Sequence, residues 1–182
     1  MASAELPVLT SLHRLADLVE RVDPVFVRWS SGPRTDLRGH GGVSRDSLTG
    51  VPLAGLSANP LRVEAWWGDR PTLLWVARRL YDYSHLREAA GPRVRPWVLT
   101  GEEAGRGPDN EPLVARVRPV AWIAAEVIAE ARAEVARQRG PWGPLRRPHD
   151  FTDGGADRAP GDAPGPARDS ARHRTGRNGR GE

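Results

Sequence analysis

Apolar residues recur at helical spacing early in the chain, at Leu12, Leu15, Leu18, Val19 and Val22. That period places them on one face of a helix beginning after a Ser11 cap and running to about Val22. Asp23-Pro24 ends it, because the residue before a proline is pushed out of helical geometry. Val25 to Trp29 is dense in β-branched and aromatic side chains and predicts a strand. Ser30 to Gly50, with Gly32, Gly39, Gly41 and Gly42, predicts a long loop of the kind that often carries function. Val51 to Ala58 is a weaker strand pattern that Asn59-Pro60 breaks. A helix is expected from Pro71 to about Leu86, with Leu73, Val76, Ala77, Leu80 and Tyr83 on one face. A strand around Trp97-Val98-Leu99, inside Arg93–Glu103, and another from Pro112 to Val120 flank the turn-rich Gly105–Glu111. These two should pair as a hairpin. Ala124 to Gln138 predicts a last helix, with Val127, Ile128, Ala131 and Val135 inward and Gly140 as its C-cap. No internal repeat is visible, and the mixture predicts an α+β fold. The expected form is a compact single domain with a small mixed or antiparallel sheet and about three helices.

Composition divides the chain. Over 140–182, 9 Gly and 6 Pro fall in 43 residues, with few large apolar side chains. Such a segment cannot bury enough apolar area to offset its ordering entropy, so it is expected to be a disordered Gly/Pro/Arg-rich tail. Residues 1–139 hold six of the seven tryptophans, enough for one core.

Charge changes little. All 27 basic residues are Arg, and the pI near 10.7 reflects the high pKa of Arg in a chain close to charge balance. The tail carries 8 Arg against 6 acidic groups, and the remainder 19 against 17. Phosphate-backbone binding needs clustered cations. The one dense stretch, Arg168 to Arg180, would give at most a weak tether to nucleic acid. With no Cys, disulfides and thiolate chemistry are excluded. No signal peptide or bilayer-length apolar run is visible, and the expectation is a cytoplasmic protein with no membrane partner.

Several chemistries fall away. A P-loop requires a lysine, and there is none. Gly105-x-Gly107 lacks the third glycine of a dinucleotide fingerprint. His13, His40, His85, His149 and His173 are scattered without metal-ligand spacing, so no metal site is expected. Gly55-Leu56-Ser57-Ala58-Asn59 misses a nucleophile elbow at its last position.

Three positions remain in chain order: Arg28 on the first long strand, Ser57 ending the next, and Glu111 entering a late strand after Asp109-Asn110. This order, with Leu113-Val114 following, resembles the Arg–Ser–Glu pattern of ADP-ribosyltransferase-like domains. The resemblance implies an NAD-binding domain that cleaves the nicotinamide–ribose bond as a transferase or NAD glycohydrolase. NAD would be the substrate, the acceptor is unspecified, and no firm cofactor is implied. Arg28, Ser57 and Asp109 would bind substrate and Glu111 would be catalytic. The chemistry is coherent, because an arginine fork suits phosphate. A fixed carboxylate also stabilises an oxocarbenium-like transition state.

Over about residues 6–135 the chain resembles an uncharacterised actinobacterial family, a domain of unknown function. The segments that carry this are Val27–Pro33, Gly55–Leu61, Glu64–Trp67, Arg95–Gly101 and Gly105–Val114. That resemblance assigns no activity, and it leaves a non-catalytic small-molecule or protein-binding domain as the alternative. On the purely structural alternative, Arg28 would be an edge-strand arginine with its charge in water and Ser57 would only start a turn. Asp109 to Glu111 form a solvated hairpin turn, Trp66-Trp67 pack in the core, and His40 is a loop histidine.

Overall fold

A computed structural model describes residues 5–84 and 93–139. The tail, with its Arg168–Arg180 stretch, His149 and His173, lies outside these, as do His85, Leu86 and Gly140. The elements in order are β1 (Val8–Leu9), α1 (Leu12–Arg21), β2 (Phe26–Ser30), a π-turn (Thr35–Gly39), β3 (Leu56–Ser57) and β4 (Asn59–Pro60). A 3₁₀ turn (Ala65–Trp67), α2 (Thr72–Tyr83), β5 (Arg95–Arg106), β6 (Pro112–Ile123) and α3 (Ala125–Arg137) follow. The fold is α+β, as its hydrophobic pattern predicts.

The sheet is mixed. β6 lies between β5, antiparallel, and β1, parallel; β5 pairs on its other side with β2, and β2 with β4. β3 pairs with β6, placing Leu56 opposite Val114 and Ser57 opposite Leu113. β4 places Asn59 opposite Val27 and Pro60 opposite Phe26. Only Ala58 separates these two short strands, yet they belong to opposite margins of the β6-β5-β2 ribbon. The ribbon must therefore curl until its margins meet, and residues 56–60 stitch them. The β5–β6 pair has register shifts between Val98 and Leu99, Thr100 and Glu102, and Glu103 and Gly105. Bulges of this kind increase local twist and bend a sheet.

Three elements differ from their sequence expectation. The strand expected over Val51–Ala58 is reduced to Leu56–Ser57. Asn59-Pro60, expected as a breaker, is itself a strand; a proline is tolerated there because β4 pairs on one side only. The hairpin strands are also longer than expected, reaching Arg106 and Ile123.

Alternation along β2 gives each face its partners. Phe26 joins Leu56, Ala58, Trp97, Leu99 and Val114 in one buried cluster on the inner side of the curl. The helices form a second layer, in which α2 contacts α1 and α3. Leu12, Leu15, Ala16 and Val19 of α1 are buried, as are Val127, Ile128, Ala131 and Val135 of α3. Ser11 Oγ caps α1 by accepting from the Arg14 N–H, and Glu130 of α3 accepts from the Leu12 N–H at 2.7 Å. A carboxylate at a helix N-terminus is favoured by both its free donors and its dipole. The Trp66–Trp67 pair sits on the 3₁₀ turn and both rings pack edge-on against Trp75, 5.5 and 5.3 Å between centroids. Trp67 is buried in the core, whereas Trp66 is partly exposed and its indole N–H donates to Glu64 Oε2.

Candidate functional site

Arg28 follows Phe26 by two residues, so strand alternation turns both to the inner face of the curl. Its Nε donates to Asp36 Oδ2 at 2.9 Å and its Nη2 to Asp36 Oδ1 at 3.2 Å. Its Nη1 donates to the Ser57 carbonyl at 2.5 Å and to Ser44 Oγ at 3.3 Å. The Arg28 side chain is 17% exposed and that of Asp36 3%. β2 is flanked by β5 and β4, so Arg28 is neither an edge-strand residue nor a charge in water. A two-pronged arginine–carboxylate pair is a directional, charge-assisted contact.

Asp36 is held from every side. The π-turn brings its carboxylate inward, and its backbone N–H donates to Gly32 O at 3.0 Å. Ser30 Oγ donates to Asp36 Oδ2 at 2.5 Å and accepts from the Gly32 N–H and from Trp97 Nε1. Ser44 Oγ accepts from the Ser57 N–H at 2.9 Å. One polar network thus ties β2, β3, β5 and the long loop together, and its buried groups have the partners that burial demands.

Ser57, Asp109 and Glu111 come together on the outer side of this network. With Ser44, Arg45 and Asp46 they line a cavity of about 220 Å³. Arg28 lies behind it, touching Ser44 and the Ser57 backbone. The Ser57 hydroxyl makes no hydrogen bond among the described residues. Glu111 folds back into its own turn, where Oε2 accepts from the Asp109 N–H at 3.0 Å. Gly107 N–H donates to Glu111 O at 2.8 Å, Asn110 N–H to Gly107 O at 2.9 Å, and Asn110 takes φ 60°. A Cβ on Gly107 would overlap the Glu111 carboxylate. The turn is built so that its glutamate closes it.

The cavity is acidic, with Asp46, Asp109 and Glu111 facing Arg45. Asp46 is held below the usual carboxylate range, first by the Thr49 hydroxyl and then by the Thr49 amide, with the Leu48 amide adding to it. Arg45 Nη1 is directed to the Gly50 carbonyl at 2.9 Å. The sequence names Arg28, Ser57, Asp109 and Glu111 but gives no hint of Ser30, Asp36, Ser44 or the Trp97 indole N–H. Only the alternation of Arg28 and Ser30 on one strand face signals any of them.

A model of a family of unknown function, DUF6098, matches residues 2–143. The chain belongs to this family. The match spans all of the described residues and ends close to where the Gly/Pro-rich composition begins. No curated protein and no solved structure matches the chain. Among the described residues, no helix is long and apolar enough to cross a membrane, and no cluster of three or more His, Asp or Glu side chains could hold a metal ion.

Proposed function

We propose that this domain binds a small molecule without chemically altering it. The observation that favours this reading over catalysis is the pairing of Arg28 with Asp36. A guanidinium whose forks are occupied by a buried carboxylate, a serine and a main-chain carbonyl serves the fold, and its charge is already compensated. The cavity beside Ser57 and Glu111 is smaller than the roughly 300–1,000 Å³ of sites that enclose drug-sized ligands. Its three carboxylates would repel a pyrophosphate.

A second reading, an NAD glycohydrolase or ADP-ribosyltransferase, is favoured by one observation: Ser57, Asp109 and Glu111 line the same cavity, with Arg28 against Ser57. Incubation with NAD separates the two. No release of nicotinamide is expected. Release that disappears in Glu111→Ala would replace the binding reading with the second.

A further inference from the structure

A larger concavity, of about 710 Å³, lies against the π-turn and is lined by Arg34, Leu37, Arg38, Pro119 and Trp122, together with Glu5. Its volume falls within the range of sites that enclose small organic ligands. Arg34 and Arg38 are four residues apart on a single turn and both face the groove. Both are exposed, and neither has an ion-pair partner among the described residues. The reason is structural: Asp36, the acidic residue between them, is turned inward onto Arg28. The pair that neutralises Arg28 thereby leaves the outer side of the same turn with two guanidiniums against the single carboxylate of Glu5.

The wall opposite is aromatic and fixed. Trp122 is half-buried, its backbone N–H donates to Pro7 O at 2.9 Å, and the Arg95 guanidinium stands 4.6 Å from its ring centroid. Gly32, at φ 116°, brings the backbone so near that a Cβ there would lie 2.5 Å from the indole. With Arg95 over its ring and Gly32 close to its benzo carbons, the pre-set indole offers the part of its surface that lines the groove to a flat ring, without loss of side-chain entropy. Two arginine forks suit the oxygens of a phosphate. The cavity of about 520 Å³ near Arg62 and Arg106 is a poorer match: those cations are paired with Asp23 and Glu103, and Glu64 and Glu102 also line it.

We infer that the Arg34–Arg38–Trp122 groove binds a planar organic phosphate of mononucleotide size, with the phosphate on the two arginines and the ring along Trp122 and Leu37. This rests on the small-molecule-binding reading above and names its ligand class.

The test uses the full chain and three probes in titration calorimetry: adenosine 5′-monophosphate, adenosine, and inorganic phosphate. The nucleotide should bind at least about tenfold more tightly than either half alone, as expected when charged and apolar contacts act together. Arg34→Glu/Arg38→Glu changes two exposed side chains, so its thermal unfolding should match the parent, while nucleotide affinity falls at least about tenfold. Undetectable nucleotide binding by the parent would overturn the inference. So would affinity unchanged in the double variant, or phosphate binding as tightly as the nucleotide. These failures are distinguishable from failure of the binding reading itself, which is decided by nicotinamide release from NAD.

Discussion

Arg28 Nε and Asp36 Oδ2 are 2.9 Å apart, and the buried carboxylate that neutralises this half-buried guanidinium comes from the middle of a glycine-rich loop. The loop is therefore fastened to the sheet at one acidic residue. Asp36→Ala leaves the half-buried Arg28 without its carboxylate, held only by the Ser57 carbonyl and Ser44, and should cost about 1–3 kcal/mol of stability, measured by urea unfolding. In a double-mutant cycle with Arg28→Ala, the two changes should be less than additive by about 1–3 kcal/mol. Additive costs would show that the pair is not coupled.

Gly107 and Glu111 set a second, local test. An alanine at 107 must push the Glu111 carboxylate away from the Asp109 N–H. Gly107→Ala should destabilise by about 1 kcal/mol in the parent and by much less in a Glu111→Ala background. Thermal unfolding of the four chains reads this directly.

Tyr83, at the end of α2, has its phenol pushed up to about 12, chiefly by burial; Arg79 opposes the shift, while Asp82 and Glu64 add to it. The folded-state value lies above the unfolded one, so the contribution to stability is complete below pH 10 and is lost as pH rises towards 12. With Tyr81→Phe removing the other tyrosine, absorbance titration should show Tyr83 ionising well above the ordinary phenol range. Tyr83→Phe should remove this part of the alkaline loss of stability. Ionisation near 10 in the folded chain would contradict the burial of the ring.

The domain boundary can be tested by truncation. A chain ending at Arg139 should unfold cooperatively at the same temperature as the full chain, because the cores of the sheet and helices lie before it. A lowered midpoint would place stabilising contacts beyond residue 139.

The helices and the hairpin were legible in the sequence because each carries its own period. Leu12, Leu15 and Val19 repeat at helical spacing, and the turn residues between Arg106 and Pro112 separate two apolar runs. Ser57, Asp109 and Glu111 could be named together, and they do share a cavity. What could not be read were relationships without periodicity. Nothing local marks Asp36 as the partner of Arg28, since the turn that aims it lies in a loop whose spacing carries no amphipathic signal. Asn59-Pro60 looks like a breaker by local propensity, and its pairing with Phe26 and Val27 is a tertiary outcome. The groove of Arg34, Arg38 and Trp122 joins positions more than eighty residues apart, and only the curl of the sheet brings them to one surface.

The stitch at Leu56–Pro60 has a kinetic consequence. These five residues must find partners some thirty positions earlier, at Phe26–Val27, and more than fifty positions later, at Leu113–Val114. Contacts of such sequence separation form against a large loop-closure entropy and slow folding. On the ribosome, the first half of the chain would emerge with β3 still lacking its partner. Closure must await synthesis of the hairpin that ends at Ile123, so the committed step of folding follows the emergence of β6.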